Sequence, residues 1–83
     1  MDNMVTDVSQ IPLVDCRGLL CPLPIVKTRL KLNMLNKGDE LLILADDPTF
    51  ATDFKRFCYL AGLSILASEK TQEYQAYHVQ VTR

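Results

Sequence analysis

The feature that most constrains this chain is Glu40 to Ala45, Glu-Leu-Leu-Ile-Leu-Ala, which holds the unbroken apolar run Leu41 to Ala45. Gly38 bounds it on one side and Asp46-Asp47-Pro48 on the other. An amphipathic helix would interrupt such a run with polar residues, and an exposed strand would alternate. A short, continuous apolar stretch between turn signals suits a strand buried in the middle of a sheet. A central strand needs partners on both edges and a covered face, so the rest of the chain must supply further strands and helices.

Those elements are readable in order. Ile11 to Cys16 reads as a short strand, with Pro12 near its start, where a missing donor is tolerated. Arg17-Gly18 breaks it. Pro22 and Pro24 suit the first turn of a helix, where an absent N–H is not missed, so a helix is predicted from Pro22 to about Asn36, ended by Lys37-Gly38. A second helix starts near Pro48 with Asp47 as N-cap, and Gly62 fits the position just past its end. Phe50, Phe54, Phe57, Cys58 and Ala61 form its core-facing stripe. Leu63 to Glu69 and Gln75 to Thr82 read as two strands around a polar loop. In the last one Tyr77, Val79 and Val81 alternate with His78 and Gln80, so His78 should face solvent.

The order is β-α-β-α-β-β. It implies a two-layer α/β sandwich, with both helices packed on one face of a four-stranded mixed sheet. The last two strands must be antiparallel, because a five-residue connection cannot make a parallel crossover. Residues 1–10 are polar and should fray, leaving residues 11–83 as a single domain.

Bulk properties narrow the function. With 83 residues the core is modest and an enclosed substrate pocket has little room, so the chain more naturally presents one group to larger partners. Nine basic against ten acidic side chains give a net charge of −1, which argues against stable nucleic-acid binding by the protein alone. No apolar run approaches the roughly 20 residues of a membrane span. The first ten residues carry no secretory pattern, so a cytoplasmic location is expected. Three cysteines, an odd number, argue against a disulfide framework.

Each thiol then needs its own account. Cys58 lies on the apolar stripe of the second helix and reads as core. Cys16 ends the first strand, with resolution of a Cys21 persulfide or disulfide as the weaker reading. Metal binding fits poorly, since there is no second cysteine pair and His78 stands alone. Cys21 is different. It directly precedes the prolines that open the first helix, where unpaired N–H groups and the helix dipole favour an anion. Its pKa is therefore expected to fall and its thiolate, the nucleophile, to gain population. Pro22 and Pro24 stiffen the turn, Gly18 lets the chain turn between strand and helix, and Arg17 would add positive charge nearby.

The first helix also carries two apolar stripes. Ile25, Leu32 and Leu35, with Thr28 between them, make one. Leu23, Val26, Leu30 and Met34 make the other, on nearly the opposite side. The first is expected to face the sheet, on the family resemblance given below as much as on physics, which leaves the second as an exposed strip leading away from Cys21, a surface suited to a partner or partly covered by its neighbours. Lys27, Arg29 and Lys31 read as a solvated face that would also steer an acidic partner. Asp46 and Asp47 read chiefly as cap and loop, with Asp46 a candidate partner contact.

The run Asp-Cys-Arg-Gly-Leu-Leu-Cys-Pro-Leu-Pro-Ile-Val-Lys-Thr-Arg-Leu-Lys-Leu, residues 15–32, resembles the signature of the TusA/SirA family of sulfur carriers: Asp-x-Arg-Gly-Leu, then Cys-Pro-x-Pro opening the first helix. The likeness continues through Gly38 to Leu41 and Ala45 to Pro48. The resemblance implies a two-layer sandwich with no metal or organic cofactor. It implies a persulfide on Cys21, received from a cysteine desulfurase and relayed to a downstream sulfur-acceptor protein. In the best-known members the relay ends in tRNA 2-thiouridine, and other branches serve other sulfur, selenium or uptake pathways. Leu23 stands where some members carry an acidic residue, which bears on partner choice. The alternative class is a non-catalytic regulatory or scaffolding module of the same fold, working through Leu23 and Val26.

Overall fold

In the computed structural model, which describes residues 11–83, the elements are β1 (Leu13–Cys16), α1 (Leu23–Leu32), β2 (Glu40–Ala45), α2 (Phe50–Ala61), β3 (Leu63–Lys70) and β4 (Gln75–Val81). The apolar run is an inner strand: the sheet order is β1-β2-β4-β3. β1 lies parallel to β2 with Cys16 opposite Ala45, β4 runs antiparallel to β2 with Tyr77 opposite Ile43, and β3 is antiparallel to β4. The architecture is the four-stranded mixed α/β sheet with two helices that the sequence pattern implies. Residues 1–10, where fraying was expected, lie outside the described residues.

Alternation along the strands builds the core. Val14, Cys16, Leu41, Ile43, Ala45, Tyr77, Val79 and Val81 are buried on one face. Leu42, Leu44, Ala76 and His78 occupy the intervening, partly exposed positions. His78 is accordingly on the wetter face, where it pairs with Glu40. Helix α2 covers the core with Phe50, Phe54, Phe57 and Cys58. Phe54 is fully buried, its ring centroid 4.9 Å from that of Phe50 and 4.8 Å from that of Tyr77. Gly62 ends the helix at φ +77°, a left-handed C-cap that glycine adopts without a Cβ penalty.

Helix α1 presents Thr28 and Leu32 to the core with Ile25 and Leu35 packed beside them, the stripe expected to face inward. Thr28 is fully buried, and its hydroxyl donates to the Pro24 carbonyl at 2.9 Å. The opposite stripe is out in solvent: Leu23 is 52% exposed, Val26 46%, Leu30 62% and Met34 73%.

Several boundaries differ from the sequence reading, for local reasons. β1 starts at Leu13, although Pro12 still accepts a hydrogen bond from Leu42 through its carbonyl. α1 stops at Leu32. Met34 and Leu35 donate to carbonyls three residues back, and Asn36 donates to the Asp39 carboxylate, so the last turn tightens and the helix ends before Gly38. α2 begins at Phe50 with Thr49 at the N-cap position expected for Asp47, and the Asp47 carboxylate holds the turn just before it by accepting the Thr49 N–H.

Candidate functional site

Parallel pairing of β1 and β2 ends both strands at the same edge of the sheet, so the loop into α1 and the loop into α2 emerge side by side. The second loop pins the first. Both Asp46 carboxylate oxygens lie 3.0 Å from the Gly18 nitrogen and accept its N–H. Asp47 Oδ2 accepts the Cys21 N–H at 2.6 Å, while Oδ1 accepts the Thr49 N–H and hydroxyl, each at 2.9 Å. The Gln75 side-chain amide donates to the Asp47 carbonyl at 3.1 Å. Asp47 is 5% exposed, and its hydrogen bonds to Thr49 and Cys21 hold its carboxyl below the usual range. Gly18, at φ +83°, makes the turn within this clamp.

The backbone of Cys21 is thus fixed while its side chain is exposed. The helix start offers the sulfur few free amides. Pro22 and Pro24 carry no N–H, and the Leu23 N–H is taken by the Leu20 carbonyl at 2.9 Å. The thiol instead donates to Asp53 Oδ2 at 3.3 Å. Its pKa is raised, first by that hydrogen bond, then by partial desolvation and by the negative charges of Asp53 and Asp47. The depressed pKa expected from the helix start is therefore overturned. The prolines that mark the helix start also remove two of its N–H donors.

Arg17 is likewise not a free charge for the sulfur. It holds Asp15 in a two-pronged pair, at 2.9 and 2.8 Å, with its guanidinium 5.8 Å from the Tyr74 ring centroid. The pair lowers the Asp15 pKa to about 2. Lys27 donates to the Asp15 carbonyl at 2.7 Å and so ties α1 to the end of β1. Beyond it, Leu13, Lys27, Leu30, Lys31 and Met34 line an open groove of about 420 Å³ between the β1 edge and α1.

The other two thiols are structural. Cys16 is fully buried and Cys58 is 3% exposed. Burial raises both pKa values, that of Cys58 to about 12. Cys16 points toward the Pro24 carbonyl, 3.7 Å away, which leaves it no part as a resolving thiol at the surface. Among the described residues, no group of three or more His, Cys, Asp or Glu is placed to hold a metal ion. No helix among them is long and apolar enough to cross a membrane.

The structure brings together Gly18, Cys21, Pro22 and Asp46 of the predicted site. It adds Asp53, which the sequence reading missed, and gives Asp47 a contact to Cys21 beyond the loop role. A signal for Asp53 existed. Parallel β1 and β2 put the starts of α1 and α2 next to each other, so an acid in the first turn of α2 faces the residue that precedes α1. Compared with protein-family models, residues 13–83 match the one described as Sulfurtransferase TusA.

Proposed function

We propose, from the premise that this chain belongs to the sulfurtransferase TusA family, that it carries sulfur as a persulfide on Cys21 between a cysteine desulfurase and an acceptor protein. The single observation that supports this most is the contrast among the thiols: Cys21 is exposed on a clamped backbone, and Cys16 and Cys58 are buried. In the transfer, the Cys21 sulfur attacks the terminal sulfur of the donor persulfide. A new S–S bond forms at Cys21, the donor's S–S bond breaks, and its electron pair leaves with the donor cysteine as thiolate. Discharge repeats the step with an acceptor thiolate. Atoms and electrons balance with no outside oxidant or reductant.

Gly18, Pro22 and Pro24 shape the turn, and Arg17 braces it through Asp15. Asp46 serves the loop by holding the Gly18 N–H, while Leu23, Val26, Lys27 and Leu30 form the surface offered to partners. The reading places the protein in a reducing, cytoplasmic setting, consistent with three free thiols. The resemblance also raises tRNA 2-thiouridine as the end product. The test is intact mass after incubation with a desulfurase and cysteine. Wild type should gain sulfur and Cys21→Ser should not. No added sulfur on wild type, or equal loading of the variant, overturns the proposal.

A further inference from the structure

The thiol at Cys21 faces carboxylates from two directions, while the nearby cations are turned elsewhere. Asp53, from the first turn of α2, stands 3.3 Å from the sulfur, and Asp47, from the loop after β2, holds the Cys21 N–H. Arg17 is committed to the Asp15 carboxylate and Lys27 to the Asp15 carbonyl. A neutral thiol donates a hydrogen bond in this setting. A thiolate would lose that bond and stand against two negative charges, with no free cation among the described residues shown pairing with it. Asp53 is only partly buried, so its carboxylate remains open to a group approaching from outside.

We infer that Asp53 is a positioning residue that holds Cys21 as the neutral thiol in the unbound protein, and that a cationic group on the sulfur donor, pairing with Asp53, frees the nucleophile. The inference rests on the sulfur-carrier reading and deepens it, because it specifies the chemistry a productive donor must bring: a lysine or arginine beside its persulfide. When that cation pairs with Asp53, the thiol gives its proton to solvent and attacks the terminal sulfur. The departing donor thiolate regains one proton, so the proton count closes. A donor or oxidant lacking the cation meets a thiol rather than a thiolate and reacts slowly, which protects an exposed cysteine between transfers.

The experiment uses small probes and needs no desulfurase. Wild type and Asp53→Asn are alkylated with iodoacetamide across pH, and each is reacted with cationic cystamine and anionic dithiodiglycolate. Cys21→Ser serves as the blank for the buried thiols. The carboxylate favours the protonated sulfur, so Asp53→Asn should move the alkylation profile to lower pH. Wild type should prefer cystamine, and the preference should shrink in Asp53→Asn by about threefold per probe charge, the factor for a unit charge roughly 6 Å away in water. Superimposable profiles, or an unchanged preference between the two disulfides, overturn the inference. Asp53→Ser, with circular dichroism to confirm folding, repeats the charge removal should the asparagine variant misfold. A wild type that shows this profile yet takes no sulfur from a desulfurase overturns the carrier reading and leaves the Asp53 effect standing.

Discussion

Phe54 and Asp53 are adjacent in α2, and the structure assigns them opposite kinds of consequence. Phe54 has no exposed surface, and its ring packs between those of Phe50 and Tyr77, with Phe57 at 6.3 Å. Truncation to alanine removes the ring from water-free contacts on three sides and leaves a cavity that the sheet cannot close, since Ile43 and Val79 are already fully buried on strands. Phe→Ala changes in such cores cost about 3–5 kcal/mol. A chain of this length has a total stability on the order of 4–12 kcal/mol. Phe54→Ala should therefore lose a large share of it and melt about 12 °C or more below wild type, at roughly 4 °C or more per kcal/mol. Urea unfolding followed by far-UV circular dichroism would show a lower midpoint with an unchanged slope. A loss under about 1 kcal/mol would refute the view that the Phe50–Phe54–Tyr77 cluster anchors α2 to the sheet. Asp53→Asn, one residue away on the wetter side, should leave the same unfolding curve within about 0.5 kcal/mol while changing the reactivity of Cys21.

Two further outcomes follow from the geometry. Leu23→Glu changes a side chain that is 52% exposed, so stability should hold within about 0.5 kcal/mol. Sulfur uptake from a desulfurase should nevertheless fall, because a charge then interrupts the apolar strip beside Cys21. Loss of partner pull-down with intact small-probe alkylation identifies a docking defect, and unchanged uptake removes the strip from the transfer step. At Gly62, φ is +77° and an added Cβ would stand 2.6 Å from the Arg83 Cβ. Gly62→Ala should cost about 1 kcal/mol or more, read as a lowered thermal midpoint, and an unchanged midpoint would refute the left-handed cap at this position, since moving Arg83 aside relieves the contact but not the φ.

Much of the fold was legible because its signals are periodic. The run at Leu41–Ala45, the alternation Tyr77-Val79-Val81 and the Phe50-Phe54-Phe57-Cys58 stripe each report a burial pattern that only one placement satisfies. The choice between the two stripes of α1 also came out as read, with buried Thr28 completing the inward one. Element ends were less legible, because they depend on hydrogen bonds made by distant partners. Asp47 is a good N-cap by composition, yet its carboxylate is shared between Thr49 and Cys21, and the helix starts later. The accessible thiol of Cys21 was legible and its electrostatics were not. A helix start reads as positive only if its N–H groups are free, and here two are absent in proline and another is bonded to Leu20. Asp53 lies 32 residues from Cys21, and only the parallel register of β1 with β2 brings the two together.

That register also explains why one cysteine can be both fixed and exposed. A thiol buried in a pocket is held by packing, but it cannot enter the active sites of two different proteins in turn. A thiol on a free loop can enter both, but its direction is undefined. Here direction comes from the backbone: Gly18 and Cys21 donate to Asp46 and Asp47, which directly follow the inner strand β2. The side chain is left outside the clamp. A carrier arranged this way needs some other means to stop an exposed nucleophile from reacting with whatever it meets. The carboxylate of Asp53, supplied by the next element of the same register, is placed to provide it.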